Sequence, residues 1–571
     1  MKKALALVLV VLMSFALAGV AMADEVVARN GMVSSAHELA SRAGVEILKK
    51  GGNAIDAAVA TALALNVVEP NASGIGGGGF MTVRFAKTGE VVVLDYRETA
   101  PDSATKDLFA SDKSKAEKWS IKGGKSVGVP GWLLGMWTAL EKYGTMSFGE
   151  VAEPAIRLAE DGFTVHPMQT GIIKDEFEKL IEYTDPAQLP FLEGGLPIEE
   201  GKTLKQPALA KTFRLIAEKG PGVLYGGPLG EAVVAAVNKA GGAMSLDDLK
   251  NYRMEVRKPV YGTYHGYQIY SVPPASSGGT HIVQLLNIME NFPVKDLGHN
   301  KPRTLHIMSE AMKMVYADRG AYMADTAFVN VPLEGLASKE YAKKLAGKIG
   351  MFKSMTDVAA DDPKPFQKAV ASGYIGGEPQ ERVSTSHFSV VDSKGNIVAS
   401  TNTINYFFGS GVFVPDYGFM LNDEMDDFAT NPASVNAPEP GKRPLSSMSP
   451  TIVLDPKGRP FMAVGAAGAT RIITAVAQIV MNTVDFGLKM DAAIEQLRIF
   501  NFTSGGKAGN LLYENGITPS TIAVLGLIGH KTEGRDKSGY FGTAQGILFD
   551  VDNGVMYGGA DSRRLGVPVG Y

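Results

Sequence analysis

Thr385 is the residue of this chain best placed to do chemistry. It stands between Ser384 and Ser386, at the head of the apolar, β-branched run Phe388-Ser389-Val390-Val391. A threonine hydroxyl is a weak nucleophile and needs an adjacent base. An α-amine, with an ordinary pKa near ~7.7–8.0, can be that base because much of it is neutral around neutral pH. Inside a chain the same nitrogen is an amide and no base at all. Thr385 is therefore competent only once the Ser384–Thr385 bond is cut; uncut, it is a β-strand threonine like many others. Further polar groups follow: Thr403 and Asn405, the acidic stretch Asn422 to Asp427, then Ser446 and Ser447 behind Pro444. Taken singly, each candidate has an ordinary account, with Arg97 as a surface ion pair, Asp427 as a cap, and Ser446 and Ser447 as turn formers.

Other chemistries find little support. The chain has no cysteine, which removes thiol nucleophiles, thiolate metal sites and a disulfide framework. None of its eight histidines forms a His-x-x-x-His pair or sits beside a suitable carboxylate cluster, so no metal site is expected. His387 shares the strand face of Thr385 and reads as a buried, hydrogen-bonded ring. Gly74, Gly76 and Gly79 have the spacing of a dinucleotide fingerprint, but a helix precedes them and a strand follows, the reverse of what places phosphate on a helix N-terminus. Close backbone packing explains them better. With a formal charge of −4 and no basic patch, nucleic acid is not an expected partner.

The elements that must hold Thr385 can be outlined from the pattern. Lys2 and Lys3, the apolar run from Ala4 to Val20 and the small residues Ala21-Met22-Ala23 read as a signal peptide cut after Ala23, implying export to the periplasm or beyond. No later apolar run approaches membrane-span length. Ser34 to Leu65 is helical and alanine-rich, broken at Gly51-Gly52-Asn53; Phe80–Phe85 and Val91–Tyr96 read as a hairpin. Residues 131–322 are mainly helical, with a strand near Tyr264–Ser271. Beyond Ser386 the expected strands are Phe388–Val391, Ile397–Thr403, Thr451–Leu454 and Pro460–Val464, followed by a helix from Arg471 to Phe486 and a strand-rich tail. Helical blocks around two groups of strands fit a layered α/β protein.

Several separated motifs together resemble the γ-glutamyltransferase (glutathione hydrolase) family. They are Gly51 to Ala58, the glycine run ending at Phe80, Asp95-Tyr96-Arg97-Glu98, Pro273 to Gly279, Thr385 to Asp392, the acidic stretch 422–428, Arg443 to Pro450 and Gly558 to Tyr571. The resemblance implies an αββα four-layer sandwich of the N-terminal-nucleophile hydrolases. It also implies self-cleavage between Ser384 and Thr385, leaving a heterodimer of residues 24–384 and 385–571. Thr385 would be the nucleophile and Thr403 the hydroxyl that orients it. Asn405, Glu424 and Asp427 would hold the substrate α-ammonium, and Arg97, Ser446 and Ser447 its α-carboxylate. Gly468 and Ala469 would supply the oxyanion N–H groups, Ala469 standing where the family usually has glycine. The implied substrates are glutathione and other γ-glutamyl compounds, with water, amino acids or dipeptides as acceptors and no external cofactor. The segment 429–443 is short, proline-rich and without an aromatic residue, so an open site is expected. Alternatives are a glutaryl β-lactam acylase, whose substrate lacks the α-ammonium, a poly-γ-glutamate enzyme, and a non-catalytic binder of γ-glutamyl compounds.

Overall fold

The computed structural model describes residues 25–367 and 384–571. The expected signal peptide, and Arg382 and Val383 just ahead of Ser384, lie outside the described residues. Fourteen strands build the two main sheets: β1 Val26–Ala28, β2 Met32–Ser35, β3 Gly78–Arg84, β4 Val91–Asp95, β5 Glu255–Arg257, β6 Val260–Tyr264, β7 Tyr267–Ser271, β8 Ser386–Val391, β9 Ile397–Thr403, β10 Thr451–Leu454, β11 Pro460–Ala467, β12 Thr543–Asp550, β13 Val555–Ala560 and β14 Val567–Gly570. One sheet runs β1-β13-β12-β11-β10-β7-β6 and the other β14-β2-β8-β9-β3-β4-β5. Every ladder in both is antiparallel.

The sheets face each other across a thin core of Met32, Val391, Ala399, Ile452, Ala463 and Ile547. Helices α1 (Glu38–Lys49), α2 (Ala54–Val68), α3 (Trp132–Tyr143) and α4 (Phe148–Asp161) cover the sheet that contains β8; α5 (Gly278–Met289), α6 (Pro302–Tyr322) and α7 (Arg471–Val484) cover the other. Four layers result, helix on sheet on sheet on helix, as expected. Both sheets mix strands from either side of the Ser384–Thr385 bond: β8 and β9 lie between β2 and β3. The interleaving means that one core serves both parts of the chain.

Local sequence explains how this frame is held. Helix α2 is buried on every side, which its alanine-rich composition permits. Its start is fixed by Asn53, whose side chain accepts from the N–H groups of Ile55 and Asp56 while Asp56 accepts from Asn53 N–H. Asp392 adds a cross-link, because one carboxylate oxygen accepts from Ala54 N–H at 3.0 Å and the other from the N–H groups of Lys394 and Asn396. That carboxylate closes the β8–β9 turn and ties it to α2. The glycine run is a close-approach device: a Cβ on Gly77 would lie 2.0 Å from the Thr403 carbonyl oxygen, and one on Gly76 2.1 Å from that of Met420. Elsewhere β11 runs three residues past the expected end, to Ala467; the helix after it stops at Val484, and the strand-rich tail also contains a helix, Pro519–Leu527. No helix among the described residues is long and apolar enough to cross a membrane.

Candidate functional site

Thr385 sits immediately before β8, opposite the end of β9, because Ser386 pairs with Asn402. Its Oγ1 donates to the Ser384 carbonyl at 2.5 Å and lies 3.2 Å from Thr403 Oγ1. Thr403 Oγ1 in turn accepts from Asn405 N–H at 2.8 Å and donates to the same Ser384 carbonyl at 3.0 Å. Two hydroxyls therefore converge on the oxygen of the peptide bond that would have to break. Asn405, in the left-handed region at φ 72°, accepts from Ser384 N–H through its carbonyl and donates its side-chain amide to Asp423 O.

Two residues with no assigned role anchor the other side of the threonine. Arg564 donates to the Thr385 carbonyl at 2.6 Å and pairs with Glu69 at 2.9 Å, while Ser386 Oγ donates to the second Glu69 oxygen at 2.6 Å. Cation, carboxylate and hydroxyl thus form a closed circuit below Thr385, leaving its hydroxyl directed toward Ser384 and Thr403. Sequence reasoning missed Arg564 and Glu69; the clue was a charge in segments otherwise destined for burial.

A cavity of about 530 Å³ opens beside Thr385. It is lined by Thr385, Thr403, Asn405, Arg97, Glu424, Asp427, Ser446, Ser447 and Ala469, so nine residues singled out from the sequence meet in one place. Gly468 borders a neighbouring cavity of about 400 Å³ instead, with Arg471 and Arg564. Gly468 and Ala469 join β11 to the start of α7, where unsatisfied N–H groups and the helix dipole favour negative charge. Gly468 has φ 139° and Ala469 φ 50°, so a side chain occupies a left-handed position there. The segment after Asp427 forms one rim, with Ala429, Thr430, Asn431, Ser434 and Asn436 on the cavity and the tip at residues 430–433 exposed.

The charges are arranged differently from a vacant clamp. Fully buried Arg97 forms ion pairs with both Glu424 and Asp427 and donates through Nε to Pro444 O at 3.1 Å. Glu98 approaches the same guanidinium at 3.7 Å, and neither of its buried carboxylate oxygens has a hydrogen-bond partner among the described residues. Burial pushes the Glu98 carboxyl up to about 8, Arg97 opposing, and also drives the Glu424 carboxyl well above its ordinary range. Carboxyl groups thus outnumber the guanidinium they surround; they hold Arg97 charged against the effect of burial, while Glu98 and Glu424 are themselves held toward the protonated form. A second cation entering the cavity would favour the ionised form of these carboxyls and be met by it.

His387 takes the structural role expected of it. Its Nδ1 meets Thr401 Oγ1 at 2.8 Å and its Nε2 meets Ser389 Oγ at 3.2 Å, and burial lowers its pKa to about 3. Sequence spacing offers no His-x-x-x-His pair and no histidine beside a suitable carboxylate cluster; in the fold, α6 and the tail bring two histidines, His306 and His530, to the single carboxylate of Glu310. The sequence signal was His306 and Glu310 four apart on one helix. Lys313 already supplies the cation, donating to Glu310 at 2.5 Å and to Ser354 Oγ and Met355 O at 2.8 Å each. His306 Nε2 is held by Gly350 O and its Nδ1 by His530 Nε2, both at 2.8 Å. An ammonium and its hydrogen bonds fill the place a metal would need, so the donor set does not fit one.

A threonine at the head of a central strand, on an αββα sandwich, defines the class: the fold is that of the N-terminal-nucleophile hydrolases. Within that class, residues 40–571 match the Gamma-glutamyltranspeptidase family, and the chain belongs to it. It is 41% identical to the glutathione hydrolase proenzyme of Bacillus subtilis strain 168 over 550 residues, covering 95% of this chain and 92% of the relative. The glutathione hydrolase proenzyme of Escherichia coli K12 is 40% identical over 94% of this chain and 91% of its own length. Among solved structures, a cephalosporin acylase from Bacillus halodurans superposes with a TM-score of 0.85 at 30% identity, covering 96% of this chain and 97% of that one.

Proposed function

We propose that this chain is a zymogen that cuts itself between Ser384 and Thr385, then uses Thr385 to transfer γ-glutamyl groups from glutathione and related compounds. Acceptors are water, amino acids or dipeptides. The observation that carries the reading is the meeting of Thr385, Thr403 and the Ser384 carbonyl beside the Arg97–Glu424–Asp427 charge cluster.

In maturation, Thr385 Oγ1 bonds to the Ser384 carbonyl carbon, the carbon–nitrogen bond breaks, and the hydroxyl proton passes to the departing nitrogen. The hydroxyl of Thr403 stabilises the oxygen that gains charge. Water then hydrolyses the ester, leaving a Ser384 carboxylate and a free Thr385 amine. Interleaved strands support fragments 24–384 and 385–571 staying together as a heterodimer. In turnover, that amine accepts the Oγ1 proton as Oγ1 attacks the γ-glutamyl carbonyl. The proton passes to the leaving amine, and water or an acceptor amine releases the glutamyl group. The N–H of Ala469, which lines the cavity, and that of Gly468 beside it would serve the developing oxyanion.

Glu424, Asp427 and Asn405 receive the α-ammonium; Arg97, Ser446 and Ser447 receive the α-carboxylate. Likeness to a cephalosporin acylase favours one rival, a glutaryl acylase. That substrate brings no cation to a site with surplus carboxyl groups. The two readings separate on paired anilides: γ-glutamyl anilide should be cleaved in preference to glutaryl anilide, and Asp427→Asn should narrow the preference by roughly 10-fold or more, the worth of a charge-assisted hydrogen bond. Equal or faster cleavage of the glutaryl anilide by the unaltered enzyme sinks the γ-glutamyl reading. Export to the periplasm, by the segment ending at Ala23, completes the proposal.

A further inference from the structure

We infer that Arg319 is a positioning residue that biases Ser447 and Ser446 toward anions, and so sets the enzyme's preference for a free α-carboxylate. The inference rests on the γ-glutamyl reading above and deepens it.

Arg97 has both terminal nitrogens engaged by Glu424 and Asp427, so it reaches an incoming carboxylate already neutralised. A second cation stands across the cavity. Arg319, near the C-terminal end of α6, lines the same space, with Asp427 acting on it electrostatically across the cavity and two serine hydroxyls as its hydrogen-bond partners. Its Nη2 donates to Ser447 Oγ at 3.0 Å and its Nε to Ser277 Oγ at 2.9 Å. Ser277 passes the constraint on, donating from Oγ to Ser446 O at 2.8 Å while its backbone N–H donates to the same oxygen at 2.9 Å. One planar guanidinium therefore fixes the Ser446–Ser447 segment against the start of α5 at two points.

The consequence is in the hydroxyl protons. A serine hydroxyl has one donor and two acceptor sites. Ser447 Oγ accepts from Arg319, and Ser446 Oγ accepts from Met448 N–H at 3.1 Å. Each oxygen is already receiving, so each retains its proton to give. A donor arriving from a cation also polarises the Ser447 hydroxyl and strengthens it as a donor in turn. Each oxygen keeps its proton and one further acceptor site, but the charge of Arg319 makes Ser447 Oγ a better donor and a poorer acceptor, which favours a carboxylate over a carboxamide. Arg319 touches the substrate only through Ser447, which is what makes it a positioning residue.

The test compares γ-glutamyl anilide with the same donor carrying an α-carboxamide in place of its α-carboxylate. The unaltered enzyme should prefer the carboxylate strongly in kcat/KM. Arg319→Gln should raise KM for the carboxylate donor roughly 10- to 100-fold, the range of a charge-assisted hydrogen bond, with kcat within about 3-fold. Preference between the two donors should fall by the same factor. Arg319→Lys, which keeps the charge but not the fork, should recover only part of it. Ser277→Ala, which leaves the guanidinium in place, should move preference in the same direction by less, and it keeps the question answerable if Arg319→Gln does not fold. If kcat/KM falls equally for both donors, so that preference is unchanged, Arg319 is merely structural and the inference is overturned. An unaltered enzyme inert toward both donors overturns the γ-glutamyl reading, and this inference with it.

Discussion

Ala469 offers a sharp perturbation, because one methyl group separates two effects. Its φ of 50° places a Cβ in the left-handed region, at a cost of about 1–2 kcal/mol. Ala469→Gly removes that cost and adds roughly 0.4–1 kcal/mol of chain entropy to the unfolded state, so the net change is between about 0 and 1.6 kcal/mol in favour of glycine. Backbone N–H donors survive the change, so kcat with γ-glutamyl anilide should stay within about 10-fold of the unaltered enzyme. Ala469→Val asks a β-branched side chain to hold the same φ, which it tolerates poorly. The peptide should rotate out of place and lose the donor, lowering kcat by about 10²–10³. Urea unfolding and steady-state anilide release measure both quantities. If Ala469→Gly lost 100-fold in kcat, or Ala469→Val lost none, the N–H groups at the start of α7 would not be the oxyanion donors.

Two further outcomes follow from the buried charges, measured in the unprocessed Thr385→Ala chain so that one polypeptide unfolds. Glu98 keeps its proton to about pH 8 when folded but ionises from about 4.5 when unfolded, so folding takes up a proton in that window and stability falls as pH rises, by up to about 1.4 kcal/mol per pH unit. Glu98→Gln should therefore gain on the parent between pH 5 and pH 8 in urea midpoints, and a constant gap would contradict the assignment. Lys313→Met leaves Glu310 buried without its cation and should cost about 3–5 kcal/mol, with Glu310→Gln in the same chain recovering part of the loss. Full stability in the single variant would show that the ion pair contributes nothing.

The strand pair that carries Thr385 and Thr403 was legible because its signals are local. Ser386–Val391 and Ile397–Thr403 are apolar β-branched runs joined by an Asp-Ser-Lys-Gly turn, and an antiparallel hairpin of that length sets Thr385 against Thr403. The glycine run was also legible, since strand order excluded a phosphate loop and left close packing as its use. Contacts between distant segments were not. Nothing near Arg319 announces Ser447 as its partner, and nothing in Arg97 shows that Glu424 and Asp427 will occupy its nitrogens. The His306–His530 contact joins α6 to the tail, and its meaning depends on Lys313, which only the folded chain brings into line. Sequence spacing speaks for neighbours on one element; charge pairing across the four layers is decided by packing.

The central claim is that Thr385 becomes a chain terminus before it becomes a nucleophile. N-terminal sequencing of the purified, active protein tests this directly. The account predicts two fragments, the smaller beginning Thr385-Ser386-His387-Phe388, with Thr385→Ala giving one uncut and inactive chain. An uncut chain that turns over γ-glutamyl anilide, or an active small fragment beginning at any other residue, would contradict it.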